Sequence, residues 1–415
     1  MASCPSESNA VPSSPSPQRI LSVDALRGFD MFWLIGGNAF VMAILPFCGS
    51  KVRGWVLPQL NHVRWEGFAF HDLIFPLFVF LVGMSTVFSL SRLLAEKGKS
   101  AAYRRLFRRS LVLFLLGVFY YGGFANRWPD IRLLGVLQRL ALCYLFSGIL
   151  FIHFRMRGLA IAIGVILIGY WALLSFVPVP GEDPEAVPAS RFAQDKNLAN
   201  YIDSKFLIGK LNNKTWDPEG LLSTIPSVAT CLFGVLAALL LRNPAVSDRA
   251  KLGCFFGCGA LCLLLGYAWG GQIEGMMRSA MGSIIPVKYV TGYPFPIIKK
   301  IWTSSYVLVA GGYSLLLLGT FYAVIDMWKW QRWAVPFFWI GTNAITLYIV
   351  CNPTLVDFGQ IAQRIAGGDV QCLLLAMLGD PLGEQVGKLL LASVALGLVL
   401  TLARFLYRHK IFLRV

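Results

Sequence analysis

The sequence predicts an all-α fold, a polytopic bundle of about ten membrane-spanning helices, and three observations carry that prediction. Hydrophobic residues make up 56% of the 415 positions and charged residues only 14%, where soluble domains carry about a quarter charged residues. Apolar stretches close to 20 residues long recur along the chain, the length a helix needs to cross a hydrocarbon core of about 30 Å. Continuous alternation of a β-barrel kind is absent, which leaves helices as the way to satisfy the backbone in lipid. Mean hydropathy is +0.64. The net charge of +16 lies in short patches between apolar runs. That is the pattern of loops held on the cytoplasmic side, and it argues against a nucleic-acid role.

Residues 1–18, MASCPSESNAVPSSPSPQ, are rich in Ser and Pro and contain no apolar h-region. They read as a disordered cytoplasmic tail rather than a signal peptide. Residues 19–415 form one transmembrane domain. Spans are expected at 26–48, 67–92, 110–125, 134–153, 158–178, 222–242, 252–270, 303–326, 335–353 and 387–407, the third being short. The segment SRLLAEKGKSAAYRRLFRRS after the second span is the densest basic cluster, which sets it in the cytoplasm. HFRMR, RNPAVSDRAK, WKWQRW and RFLYRHKIFLRV fall on the same side. Both termini are then cytoplasmic, and 179–221, 271–300 and 354–386 face outward. Nine cysteines give no readable disulfide framework. Cys254, Cys258 and Cys262, spaced by four, share a helix face. They read either as thiolates for a soft metal or, with Gly253 and Gly257, as a helix–helix seam; no His or acid lies nearby to complete a metal shell, so the seam is expected.

Polar residues inside spans mark functional sites by default. Asp24, Arg27 and Asp30 open the first span and Asn38 lies deeper in it, with Asp24 and Arg27 spaced to pair. Arg132, Gln138 and Arg139 head the fourth span, and Asn343 and Tyr348 lie in the ninth. The plain alternative for each is interhelical hydrogen bonding. Two of four histidines, His62 and His71, flank the mouth of the second span with Trp65, Glu66 and Asp72. His62 alone would pass for a snorkelling interfacial side chain. A short hairpin from Asn38, however, lets both residues face one exoplasmic cavity. In the outer loop, Trp216, Asp217 and Glu219 suit an amino sugar, the ring face on Trp216 and the ammonium near the acids; an Asp-Pro turn opening the next helix is the other reading.

The blocks RILSVDALRG, NHVRWEGFAFHDLIFPLFVFLVGMS, IRLLGVLQRL, VPVPG, YIDSKFLIG, WDPEGLLSTI, WTSSYV and PFFWIGTNAI, in that order, resemble the heparan-α-glucosaminide N-acetyltransferase family and its bacterial relatives. The resemblance runs from about residue 19 to the C-terminus. It implies a transmembrane acyltransferase that moves acetyl from cytosolic acetyl-CoA, as co-substrate and without a metal, to a terminal glucosamine across the membrane. The family's catalytic histidine lands on His62, in the setting His62, Trp65 and Gly67. Its acetyl-positioning asparagine matches Asn38 and its following acid Asp72. The R-x-x-G-V-L-Q-R-L block lands on Arg132 through Leu140.

His62 is then expected as general base, oriented by Asp72, with Asn38 donating to the developing oxyanion. Arg27, Gln138 and Asn343 are expected along the CoA path, Arg27 near phosphate, and Arg132 and Arg139, at the outer end of the fourth span, are expected to serve that path or the helix framework. Trp65, Glu66, Trp216, Asp217 and Glu219 are expected on the sugar. His71 stands where the family's lysosomal member has a small residue and receives no role. Cys351 replaces a histidine of that member, which bears on the substrate. That member's large luminal N-terminal region and extra first span have no counterpart here, so a bacterial plasma-membrane protein is expected, with a homodimer as one possible assembly. A sugar permease is the alternative from another class; it needs neither the histidine nor CoA, and inverted repeats that would favour it are not visible.

Overall fold

The computed structural model describes residues 20–121, 123, 130–181, 191–213, 215–272, 295–351 and 383–411. The expected tail and nearly all of the segment 354–386 lie outside these residues. Among the described residues the structure is helical, with no strand beyond isolated bridges that pair Glu66 with Ile298 and Arg132 with Gly209. Helix α1 (Leu21–Phe32) runs through a π-helical turn, Trp33–Gly37, into α2 (Asn38–Ile44), and a short surface helix α3 (Ser50–Gln59) follows. Then come α4 (Phe70–Tyr120), α5 (Val136–His153), α6 (Met156–Phe176), α7 (Leu198–Phe206), α8 (Leu221–Arg242) and α9 (Asp248–Trp269). The chain continues as α10 (Ser304–Phe321), α11 (Val335–Thr342), α12 (Ala344–Val350) and α13 (Glu384–Arg408).

Eight described helices are long and apolar enough to cross a membrane, or nine if the bent pair α11–α12 is one span. The ten expected spans are recovered inside that number because α4 holds two. Gly98 has φ +75°, outside helical space, and the chain reverses there. An unbroken helix would separate Ser89 from Arg109 by about 30 Å, yet Arg109 donates to the Ser89 hydroxyl at 3.2 Å. The two arms, 70–97 and 99–120, are therefore antiparallel. The basic stretch expected as a loop is helical almost throughout, and the third span begins about ten residues before its expected start. The ninth span is broken: α11 and α12 meet at 69°, with Asn343 between them in a non-helical conformation.

Lipid gives helices no hydrophobic reason to associate, so close backbone approach and polar contacts decide the packing. The first arm of α4 touches α8 where a Cβ on Gly83 would stand 1.9 Å from the Cys231 carbonyl oxygen, and one on Gly234 would stand 1.8 Å from that of Phe80. Only glycine permits this reciprocal fit. Between α5 and α8 the buried pairs Cys143–Ser227 and Ser147–Cys231 lie at 3.1 and 3.2 Å. Helices α4, α8 and α10 carry the interior, while α6, α9 and α13 turn most of their surface outward.

The expected cysteine seam is corrected. Cys254 and Cys258 are exposed, and nothing lies within 4 Å of a Cβ built on Gly253 or Gly257. Helix α9 packs on α10 through its other face, where Gly259 meets Gly312 and Gly266 meets Val309.

Candidate active site

His62 lies in the loop between α3 and α4, and its placement begins with the cap of α4. Asp72, third residue of that helix, folds its carboxylate back so that Oδ2 accepts the Val63 and Ala69 amides at 3.3 and 3.2 Å. The Gln59 side-chain oxygen accepts the Phe70 amide at 3.0 Å, and Tyr306 of α10 donates to the Asp72 carbonyl at 2.8 Å. The Gly67 amide donates to the Ile297 carbonyl at 2.8 Å with Gly67 at φ +123°, a conformation that favours glycine. The loop is thus tied to α4 and to the segment before α10.

Asp72 Oδ1 then faces His62 Nδ1 at 2.8 Å. An ionised carboxylate only accepts hydrogen bonds, so the proton belongs on Nδ1 and the lone pair on Nε2. The two groups differ in access: the His62 side chain is 53% exposed and that of Asp72 only 2%. A third group joins them. Lys299 Nζ lies 3.3 Å from Asp72 Oδ1 and 3.1 Å from His62 Nδ1. Burial holds the Lys299 ammonium below its usual range, opposed chiefly by the Asp72 charge. The His71 ring is 4.4 Å from the His62 ring, and its buried Nδ1 has no hydrogen-bond partner.

Asn38 reaches this region through its side-chain amide, which donates to the Leu60 carbonyl at 3.4 Å while its oxygen is buried without a hydrogen bond. Trp65 donates to the Phe192 carbonyl at 2.8 Å and meets Trp216 edge to face at 5.8 Å. Lys300 lies 5.8 Å from the Trp65 ring and 5.6 Å from the Trp216 ring, filling the cation position between them. Glu66 is exposed on the same loop as His62. Trp216 and Asp217 are buried.

Arg132 connects residues that the sequence reading assigned to two different ligands. It donates to Asp217 at 2.8 and 3.2 Å and to Glu219 at 2.8 Å, with its guanidinium 4.5 Å from the Tyr121 ring centre. Hydrogen bonding to Asp217 holds the Arg132 guanidinium above its usual range against burial, and burial pushes the Glu219 carboxyl up. Arg139, fully buried, donates to the Gly220 carbonyl and the Ser223 hydroxyl and lies over Trp302 at 4.9 Å.

The remaining expected residues line cavities on the far side. A cavity of about 630 Å³ is lined by Arg27, Arg105, Arg108 and Arg109 together with Phe78, Leu137 and Asn343. It adjoins a second of about 1040 Å³ that shares Arg27, Ser85 and Arg109. Arg27 pairs with Asp24 at 3.4 Å, as its spacing implied, and donates to the Ser85 hydroxyl at 2.9 Å. Gln138 is fully buried, and both polar atoms of its side chain lack hydrogen bonds, as does the Asn343 oxygen. Along α4, Asp72 and Arg92 at the cavity rim are about 30 Å apart, while Asp72 and Phe78 are separated by only about 9 Å. The arginine cavities and the His62 cluster therefore lie at opposite ends of one membrane crossing.

Fold and site together define a polytopic helical membrane protein with a His–Asp–Lys cluster at one membrane face and an arginine-lined cavity reaching toward it from the other. The chain is 26% identical, over 385 residues and 81% of its length, to the Homo sapiens protein named heparan-alpha-glucosaminide N-acetyltransferase. Over 450 aligned residues and 96% of its length it is 26% identical to the Mus musculus protein of the same name. It spans 53% and 61% of these relatives, little more than half. No family model matches. The resemblance carried by the motif blocks is thus met by two relatives aligned along most of this chain.

Lys299 escaped the sequence reading. Its one signal is the Lys299–Lys300 pair directly before the eighth span, which reads as an ordinary basic boundary.

Proposed function

We propose that this protein is a transmembrane acetyltransferase that carries acetyl from cytosolic acetyl-CoA to the amino group of a glucosamine-type sugar on the exoplasmic side, with His62 as general base. The observation that carries the reading is the contact between His62 and Asp72 at 2.8 Å, which leaves an accessible Nε2 to take a proton from the attacking amine. Several features around it support the two-sided arrangement. Arg27, Arg105, Arg108 and Arg109 suit the phosphates of CoA. The unpaired amide of Gln138 and the unpaired side-chain oxygen of Asn343 suit a ligand arm that itself carries amides, as pantetheine does. Asn38 retains a side-chain N–H beyond the one given to Leu60, and that donor suits the thioester oxygen as it becomes an oxyanion.

Roles for the other residues follow from their partners. Glu66, exposed on the same loop as His62, is the acid that would meet the sugar ammonium, and Trp65 is carried on that loop as well. Arg132, Asp217 and Glu219 serve this site as its frame, since their charges are spent on one another; Arg139 holds Gly220 and Ser223 at the α8 N-terminus through one nitrogen, and Trp216 packs against Trp65.

His62→Ala is expected to lower acetyl transfer by about 10²–10⁴-fold while acetyl-CoA still binds, measured by turnover and by donor titration of the purified variant. Near-normal turnover by that folded variant removes His62 from the chemistry. Undetectable acetyl-CoA binding by the unaltered protein removes the reading as a whole and leaves the permease.

A further inference from the structure

We propose that Lys299 is a positioning residue that balances the charge of Asp72, so that His62 stands as a neutral base rather than as the counter-ion of its own carboxylate. The proposal rests on the reading of His62 as base. The Asp72 side chain is 2% exposed, and a buried carboxylate needs a counter-charge as well as hydrogen bonds. Two backbone amides occupy Oδ2, which leaves Oδ1 to His62 at 2.8 Å and Lys299 at 3.3 Å. With His62 alone at that oxygen, the imidazolium would supply the missing charge, and an imidazolium accepts no proton. Lys299 supplies it instead. Its Nζ lies 3.1 Å from Nδ1, so a second cation on the imidazole meets a like charge at contact distance.

The backbone holds Lys299 in that place. Phe295, Ile297, Ile298, Ile301 and Trp302 around it are buried. Ile297 and Ile298 join the His62 loop through Gly67 and Glu66. Trp302 turns the chain into α10 at φ +53°, a left-handed conformation rare for a bulky residue, with its indole N–H on the Thr230 hydroxyl at 3.1 Å. Other charged groups on these segments are engaged elsewhere or open to solvent. Lys300 donates to the Arg64 carbonyl at 2.5 Å, Glu219 accepts from Arg132, and Arg64 and Glu66 are exposed on the loop. His71, 4.4 Å away by ring centres, is the remaining titratable neighbour.

The test needs neither acetyl donor nor acceptor. The full chain in mild detergent is treated with diethyl pyrocarbonate across a pH series, and modification of the His62 peptide is quantified by mass spectrometry; the reagent takes the neutral imidazole. Lys299→Met is expected to raise the pH of half-maximal modification by about one unit, the order produced by a charge within ~4–6 Å. Lys299→Arg is expected to keep the unaltered midpoint. Asp72→Asn, which removes the carboxylate and leaves the ammonium, is expected to lower it. It supplies the reading from the other side should Lys299→Met fail to fold. A midpoint unmoved in Lys299→Met, or in Asp72→Asn where that variant is the one read, overturns the proposal. Shifted midpoints in a protein that transfers no acetyl uphold the charge balance and remove only the acetyltransferase reading.

Discussion

Arg132 illustrates how a side chain that reads in sequence as either ligand or framework finds its partners in three dimensions. At the head of the fourth span it reads as a cofactor ligand or as framework, and Asp217 and Glu219 in a polar outer loop read as sugar ligands or as part of an Asp-Pro turn. Their mutual hydrogen bonds at 2.8 Å use the same charges to close the loop over α5. Asp217 is buried beneath it and also accepts the Asn212 and Glu219 amides. Asp203, likewise buried, has its carboxyl pushed up to about 6 by burial and accepts the Leu221 amide at the start of α8. Arg132→Met strands two carboxylates, and breaking a buried pair costs about 3–5 kcal/mol. The variant is expected to show a markedly lower Tm in detergent, whereas a substitution that touched only donor binding would leave Tm unchanged. His62, Asn38 and Asp72 were legible because a polar side chain at the edge of an apolar run stands out locally. Lys299 was not, because its meaning depends on a contact with a residue 237 positions away.

At the scale of elements, span positions were legible and their shapes were not. The run from residue 67 to 125 reads as two spans and a basic loop. Helix propensity carries the backbone on through the basic residues, and Gly98 alone supplies the reversal. The ninth span is mostly apolar, with Thr342, Asn343, Thr346 and Tyr348 along it, and nothing in that pattern announces a bend of 69°. The seam in α9 lies on a face that the sequence does not single out, since Gly253 and Gly257 look as suitable as Gly259 and Gly266 until a partner helix selects one side. The α4–α8 contact offers the sharpest check. Gly234→Val places carbon against the Phe80 carbonyl, where even a Cβ would lie at 1.8 Å, and the expected outcome is loss of monodisperse protein on size exclusion. Gly164→Ala on α6, with nothing within 4 Å of its added carbon, is expected to behave like the unaltered chain.

For the whole molecule the central feature is polarity along the membrane normal. Arginines gather where α4 reverses, and the His62 cluster gathers where α4 begins, about 30 Å away along the helix. An exposed cysteine introduced at Asn212 is expected to react with a membrane-impermeant thiol reagent in intact cells. One introduced at Lys97 is expected to react only after permeabilisation, since Lys- and Arg-rich segments between spans favour the cytoplasmic side. The opposite labelling pattern would exchange the donor and acceptor sides.

The sequence by itself determined the membrane class, the number and approximate place of the spans, and the polar residues at their ends. These are local properties: in lipid each backbone segment must satisfy its own hydrogen bonds, so twenty apolar residues specify a helix wherever they occur. Tertiary structure decided which helix ends meet. It joined Lys299 to Asp72 and His62, set Arg132 on the acids of a distant loop, left Gln138 and Asn343 with unmet polar atoms, and broke the ninth span. Ion pairs and close glycine contacts act over 3–4 Å, and no pattern along the chain reports which side chains the packing will bring within that reach.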